Sequence, residues 1–183
     1  MRPLFVHFVL PVMLITVIIG LIYICVQQSY RTAANDPQIQ VSEDIASKLN
    51  EGKLIGNIIP QDTIDIAHSL SLFVAVFNAE AKTISSNGYL KGHMVQPPPG
   101  VFSYLNTHDD NEVTWQPVKG VRMALVIKKT NASPLAFVAA GRSLKQTELR
   151  EYSLRITIII SWVICFILLL ISTIAIIPKS LRS

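Results

Sequence analysis

The chain has few charged residues and only two cysteines. Both observations restrict the classes of protein to which it can belong. Asp, Glu, Lys and Arg make up 15% of its 183 residues, against about 25% in an average soluble domain. Two cysteines are too few for a disulfide-knotted scaffold, and eight glycines exclude a collagen-like repeat. Half of the residues are apolar, which excludes intrinsic disorder. The mean hydropathy of +0.43 instead indicates a membrane protein with a modest folded part.

Residues that could build a reactive centre are also scarce. The two cysteines, Cys25 and Cys165, both lie in long apolar segments, so no disulfide can stabilise the region between those segments. The four histidines are scattered, and the sequence therefore predicts no structural zinc site and no cofactor. No nucleophile–base pair or phosphate-binding loop is evident, so we expect the chain not to be an enzyme.

The apolar residues are concentrated in two segments, one near each end. Pro3–Val26 has 24 residues and Ile156–Ile177 has 22, and about 20 are needed to cross a bilayer as a helix. The first segment is longer than the apolar core of a signal peptide, so an uncleaved anchor is favoured over a cleaved leader. His7, near the start of that anchor, is expected to lie at the membrane interface.

The distribution of charge predicts the topology. All 12 acidic residues and 13 of the 16 basic residues lie between Gln27 and Arg155, and the other three are Arg2, Lys179 and Arg182. Short basic flanks stay cytoplasmic, so we expect a two-pass protein of the inner or plasma membrane with both termini cytoplasmic and residues 30–152 extracytoplasmic. The pI near 9.2 comes mainly from these flanks and does not indicate a nucleic-acid partner.

The sequence pattern between the two apolar segments predicts an α+β domain. Asn35-Asp36-Pro37 is typical of a helix start, and an alternating pattern from Val121 to Lys129 indicates a strand. His68 is expected to be a hydrogen-bonded packing residue. The predicted elements are helices over Asn35–Asn50, Asp62–Leu70 and Val101–Thr107, a central buried strand over Leu72–Phe77, a short strand over Thr83–Ser86, a loop over Tyr89–Gly100, and strands over Val113–Gln116, Val121–Lys129 and Leu135–Arg142.

The second apolar segment is predicted to belong to one long helix. No proline or glycine occurs from Leu144 to Ile177, and 34 helical residues would span about 51 Å. Ser143-x-x-Gln146 fits a capping box at its start, and Pro178 is expected to end it. The last strand would thus lead directly into the membrane. Only six residues follow, so we expect any output to pass through another membrane protein.

Three short stretches resemble segments of a known family. They are Ala34-Asn35-Asp36-Pro37-Gln38-Ile39-Gln40, Thr114-Trp115-Gln116-Pro117, and Ala140-Gly141-Arg142-Ser143-Leu144 followed by Glu148-x-x-Glu151. With the order of elements, they resemble the extracytoplasmic single-Cache (PAS-like) input region of bacterial two-component histidine kinases. The resemblance implies an antiparallel PAS/Cache-like sheet with helices, flanked by two transmembrane helices. The kinase core is absent, and Glu80-Ala81 stands where the family commonly has Asp-Gly.

The same resemblance implies the division of the chain and the place of a ligand. The expected parts are a transmembrane helix in residues 1–29, the outer domain in 30–143, a juxtamembrane and transmembrane helix in 144–177 and a cytoplasmic tail in 178–183. Small ligands of such domains lie between the sheet and its covering layer, here Tyr89–Thr107. The candidate ligand-binding residues are Arg122, Trp115, His93 and Tyr104.

Each candidate also has a structural interpretation. A guanidinium can bind a carboxylate in a bidentate manner, so Arg122 points to a small carboxylate or another metabolite; alternatively it faces solvent or pairs with a structural acid. Trp115 could equally pack in the core. Arg142 could hold the long helix in place.

Two classes of function remain. The leading hypothesis is a sensor-like protein that binds a small ligand or partner outside and passes the signal through the second membrane helix. The alternative is an accessory subunit of a membrane complex, with a ligand-free domain. A membrane-protein partner or a homodimer is expected in either case, and the chain could also be the detached input half of a longer receptor.

Overall fold

A computed structural model describes the backbone of residues 2–180 and the side chains of residues 8–175. The chain forms two compact units, a helical unit of residues 1–30 and 149–183 and a domain, Arg31–Glu148. The predicted interfacial position of His7 and the charged flanks at Arg2, Lys179 and Arg182 lie outside the described side chains.

The elements follow one another in an order close to the predicted one. The helices are α1 (Arg2–Ala33), α2 (Asp36–Asn50), α3 (Gly100–Ser103) and α4 (Lys145–Ser180), with 3₁₀ turns at Ile55–Asn57 and Tyr104–Asn106. The strands are β1 (Ile64–Asp65), β2 (Phe73–Asn78), β3 (Thr83–Ser86), β4 (Gly88–Leu90), β5 (His93–Met94), β6 (Asp110–Val118), β7 (Val121–Lys129) and β8 (Leu135–Ser143). The α+β class is confirmed.

Two helices are long and apolar enough to cross a membrane, and their apolar stretches are not buried within the protein. Large side chains such as Leu10, Met13 and Leu168 are about 60% exposed, which suits a lipid environment. The expectation that Pro178 ends the second helix is wrong, because α4 continues to Ser180. Pro11 likewise lies inside α1, and membrane helices tolerate proline better than soluble ones.

Within the helical unit, aromatic and polar contacts join α1 to α4. The rings of Phe8 and Phe166 lie 5.8 Å apart, and Trp162 stacks on Phe166 at 5.5 Å. The indole Nε1 of Trp162 donates a hydrogen bond to Thr16 Oγ1 at 2.9 Å. Because later residues of α1 meet earlier residues of α4, the two helices are antiparallel.

The domain is built on a five-stranded antiparallel sheet in the order β3-β2-β8-β7-β6. β2, predicted as a buried central strand, is paired on both sides and its first five residues are buried. The predicted three-strand meander is confirmed by β6, β7 and β8. Gly120, in the turn between β6 and β7, has φ +83°, a conformation that glycine adopts without strain.

Both faces of this sheet are covered, which explains why β7 and β8 are apolar on both sides. One face packs Phe73, Phe77 and Leu125 against Phe102 and Leu105 of the α3 region. The other face packs against α2. The residues of that second core are Ile45, Ala46, Leu49, Ile59, Val74, Val76 and Val138.

The predicted helix over Asp62–Leu70 is wrong. Its residues form β1, which pairs in parallel with β4, and then a tight turn. The carboxylate of Asp65 accepts a hydrogen bond from the backbone N–H of Ala67 at 3.0 Å, and such local bonds compete with a helix. His68 Nδ1 donates to Asp65 Oδ2 at 2.9 Å, but its side chain is 85% exposed, so it is not a packing residue.

The predicted loop over Tyr89–Gly100 is also partly wrong, because it contains a small hairpin. β4 and β5 pair antiparallel and form a second sheet with β1. Lys91 and Gly92, the two residues between the strands, have φ +52° and +81°. Two positive φ values at the centre of a two-residue turn favour a tight hairpin.

Candidate functional site

A single row of paired residues crosses the sheet from an open cavity to the start of α4. Trp115 of β6 is the partner of Met123 in β7, and Met123 is the partner of Ser143, the last residue of β8. Only Leu144 separates Ser143 from α4. The row therefore connects a surface site to the residues just before the first turn of α4 through two strand pairings.

The cavity beside Trp115 has a volume of about 380 Å³. The β4–β5 hairpin forms one wall and the end of β6 forms the other, so His93 and Trp115 lie together in it. Trp115 is half-buried and also packs against the core, which agrees with its structural interpretation. The other lining residues are Leu90, Met94, Val95, Gln96, Pro98, Gln116 and Pro117.

The cavity wall is apolar and aromatic, with few polar groups. Its lining contains no lysine, arginine or carboxylate. Gln96 is committed to the fold, because its amide oxygen accepts from the backbone N–H and the hydroxyl of Thr83, and its Nε2 donates to Ala81 O at 2.7 Å. Among the described residues, the Trp115 indole N–H and the Gln116 amide have no hydrogen-bond partner. These groups and His93 are the polar groups open to a ligand.

Arg122 lies outside this cavity, on the joint between the sheet and α4. Its Nη1 donates to Glu148 Oε1 at 2.7 Å, and both side chains are about half exposed. This arrangement matches the alternative interpretation, in which Arg122 pairs with a structural acid. A guanidinium engaged in this way is not a free carboxylate receptor.

Several further bonds hold the start of α4 at the joint. The backbone N–H of Leu144 donates to Arg122 O at 2.8 Å, and the N–H of Glu148 donates to Leu144 O at 2.9 Å. Ser143 Oγ accepts from the N–H of Lys145 at 3.3 Å, so Ser143 supports the first turn without the full capping box. Arg142 Nε donates to Leu70 O at 3.1 Å, which ties the end of β8 to the loop before β2.

Tyr104 is separate from the other candidates. Its ring stacks on that of His108, with centroids 3.8 Å apart and planes inclined by 8°. The side chain is 49% exposed and does not line the cavity. Of the four candidate residues, the fold therefore brings two together, His93 and Trp115, and places Arg122 and Tyr104 elsewhere.

The acidic residues near β6 serve the fold. Glu112 Oε2 accepts from Asn35 Nδ2 at 2.7 Å, which ties the α1–α2 turn to β6. Lys128 Nζ donates to Glu43 at 2.6 Å and ties the middle of α2 to β7. In the part of the chain that the structure describes, no group of three or more His, Cys, Asp or Glu residues could hold a metal ion.

Two carboxyl groups of the domain have a shifted pKa. The hydrogen bond from His68 lowers the pKa of Asp65, and the backbone N–H of Ala67 adds to this effect. The hydrogen bond and the charge of Lys53 lower the pKa of Glu51. Both side chains are exposed, and neither lines the Trp115 cavity.

The sequence did not indicate the wall of the cavity or the partner of Arg122. Met94 lies in the wall because the chain reverses at the tight Lys91-Gly92 turn. This dipeptide is a weak turn signal in the sequence, and it could have been used to predict the hairpin. Glu148 lies 26 residues from Arg122, and no local pattern predicts that pairing. Neither a protein-family model, nor a curated protein, nor a solved structure matches this chain.

Proposed function

We propose that this chain is a two-pass membrane protein that binds a small neutral molecule in the His93–Trp115 cavity and transmits binding to α4. The observation that carries the proposal is the row Trp115–Met123–Ser143, which joins the cavity to the first turn of α4. The predicted topology, with both termini cytoplasmic and the domain outside, is part of the proposal. The Cache-like assignment is also proposed, and the five-stranded antiparallel sheet supports it.

The lining of the cavity favours a neutral, flat ligand. Carboxylates are bound best by cations that can donate two hydrogen bonds, and this cavity has no lysine or arginine. Aromatic and proline surfaces instead suit an aromatic ring or another apolar body. The indole N–H of Trp115 and the amide of Gln116 can then bond one or two acceptor or donor atoms, which would fix the orientation of the ligand.

Transmission would use the bonds between β7, the end of β8 and the first turn of α4. A displacement of Trp115 moves Met123, its direct partner, and Arg122 is the residue before Met123. Arg122 holds α4 through both its backbone oxygen and its side chain. A shift of β7 would therefore be passed to the first turn of α4 through these two bonds.

The proposal can be tested on the full chain in lipid nanodiscs. The protein has two tryptophans, so Trp162→Phe leaves Trp115 as the only indole fluorophore. A panel of neutral aromatic compounds that do not emit in the tryptophan range, beginning with benzamide and adenosine, is titrated against its fluorescence. We expect at least one compound to shift the emission saturably, and His93→Ala to weaken its binding. The absence of any saturable shift across the panel would contradict the proposal.

Transmission needs a second measurement. Cys25→Ser leaves Cys165 as the only cysteine, and a spin label at Cys165 reports on α4. A bound compound should change the spectrum of this label, and Arg122→Ala should abolish the change while it preserves binding. Binding without any spectral change would exclude a sensor that signals through α4.

One observation favours the accessory subunit as a second candidate. Ser161 and Ser172 are exposed on α4, and neither hydroxyl has a hydrogen-bond partner among the described residues. Serine hydroxyls on membrane helices can bond a neighbouring helix. Crosslinking from Cys165 would distinguish a defined membrane-protein partner, which supports the accessory role, from a symmetric homodimer, which supports a sensor.

A further inference from the structure

A second cavity lies at the opposite end of β8 from α4. It has a volume of about 750 Å³ and is formed by three segments, residues 49–55 at and after the end of α2, residues 78–84 around the β2–β3 turn, and residues 132–135. Leu135, the first residue of β8, lines it, whereas α4 follows the last residue of the same strand. It shares no lining residue with the Trp115 cavity.

The floor of this cavity is apolar and continuous with the core beneath α2. Leu49 is buried in that core, and Ile55 and Leu135 pack against it. Ile84 adds an apolar side chain that is 46% exposed. A short aliphatic chain laid on this floor would be removed from water, and each buried methylene would strengthen binding by the hydrophobic effect.

The amide side chains at the rim have their NH₂ groups free to donate. Asn50 Oδ1 accepts from Thr130 Oγ1 and from the backbone N–H of Asn131, both at 2.8 Å. Asn78 Oδ1 accepts from the backbone N–H of Lys82 at 2.8 Å. These bonds fix each amide with its oxygen toward the protein. Among the described residues, neither Nδ2 group has a partner, so both remain as donors to a ligand.

Two charged side chains of opposite sign, Lys53 and Glu80, line the rim of the cavity. Lys53 lines the cavity and pairs with Glu51 at 3.0 Å, but both side chains are 56% exposed. Such a pair is weak, so a ligand anion can compete for the ammonium group. Glu80 also lines the cavity and would repel an anion. Among the residues that line the cavity, one ammonium and two amide donors outnumber the single acid, Glu80.

We infer that this cavity is a binding site for a small aliphatic carboxylate. The carboxylate would accept from Lys53 and from the amide nitrogens of Asn50 and Asn78, and its chain would cover Ile84 and Leu135. Ionised acceptors form stronger hydrogen bonds than neutral ones, so the head group would decide selectivity. This inference does not rest on the proposed function, because it uses neither Trp115 nor α4.

The test uses three probes with the same chain and different head groups. Hexanoate, hexanamide and hexylamine are titrated against the full chain in nanodiscs by saturation-transfer NMR, with empty nanodiscs subtracted. We expect hexanoate to bind about two- to fivefold more tightly than hexanamide, the range that one exposed ion pair supplies. We expect hexylamine to bind most weakly. Equal binding of hexanoate and hexanamide would overturn the inference.

Two variants with opposite effects separate binding from misfolding. Lys53→Gln should weaken hexanoate binding about two- to fivefold, whereas Glu80→Gln should strengthen it by a similar factor because a repulsive charge is removed. Lys48→Gln, an exposed lysine on α2 outside the cavity, is the matched control and should change nothing. If both cavity variants shift the affinity in the same direction, or if Lys48→Gln equals Lys53→Gln, the assignment is wrong. Trp115→Phe should leave hexanoate binding unchanged.

Discussion

Arg122 and Glu148 are joined by a hydrogen-bonded ion pair of 2.7 Å between side chains that are 26 residues apart in sequence. One residue belongs to β7 and the other to the first turn of α4. The pair lies beside the backbone bond from Leu144 to Arg122. Because both side chains are about half exposed, the pair contributes little to stability, and its importance must lie in where it holds α4.

The first prediction distinguishes a role of this ion pair in stability from a role in positioning α4. Glu148→Gln should lower the free energy of unfolding by less than about 1 kcal/mol, because exposed ion pairs are weak. It should nevertheless abolish the ligand-dependent spectral change of a spin label at Cys165. The double variant Arg122→Glu with Glu148→Arg restores the pair in reverse and should restore the response. An unchanged response in the single variant would show that the pair does not transmit.

The second prediction concerns the packing of Phe73 between two strands. A Cβ added to Gly141 would lie 2.4 Å from the ring of Phe73, and one added to Gly88 would lie 2.6 Å from it. Since the ring is fully buried, it cannot move away. Gly141→Ala should therefore destabilise the domain by about 1–3 kcal/mol, the usual cost of overpacking, as measured by chemical denaturation of the full chain.

A matched control for this prediction is Gly100→Ala. Nothing lies within 4 Å of a Cβ at Gly100, and its φ is not positive, so the change should be nearly neutral. Adding Phe73→Leu to Gly141→Ala should recover part of the lost stability, because the smaller side chain makes room. If the control were as destabilising as Gly141→Ala, overpacking would not be the cause.

The third prediction uses the lowered pKa of Asp65. The bond from His68 favours the ionised carboxylate, so the folded pKa lies below its ordinary value of 3.8. The stabilisation is present above the unfolded pKa and is lost as the pH falls through the folded pKa. His68→Ala should raise the pKa of Asp65 toward 3.8, as followed by carbon-13 NMR of the carboxyl group. An unchanged value would assign the shift to the N–H of Ala67 instead.

The fold was predictable wherever apolar periodicity decided it. β2, β7 and β8 are dense apolar runs that only a doubly covered sheet can bury, and the seam of α2 repeats at helical spacing through Ile45 and Leu49. The predictions failed where two or three residues decided the structure. Asp65 bonds its own backbone and prevents a helix, and Lys91-Gly92 forms a hairpin inside a predicted loop.

The candidate site was less predictable than the fold, because it depends on long-range pairing. Composition identified Arg122 and Trp115 as unusual residues on their strands. It could not show that Trp115 faces a cavity with His93 while Arg122 turns toward a helix that begins more than 20 residues later. The amide orientations of Asn50 and Asn78 could not be predicted either. The amide of Asn50 is fixed by a backbone group from another part of the chain, and that of Asn78 by a backbone group on the far side of its own turn.

The last prediction concerns the bond between Trp162 and Thr16 in the helical unit. In a membrane, bonds between helices contribute about 0.6 kcal/mol on average, so Thr16→Val and Trp162→Phe should each lower thermal stability slightly. If the two side chains act through one bond, the double variant should lose no more than the larger single loss. Thr157→Val is the control, because the Thr157 hydroxyl bonds its own helix at Ser153 O. Full additivity in this double-mutant cycle, measured by unfolding in nanodiscs, would show that the indole and the hydroxyl are not coupled.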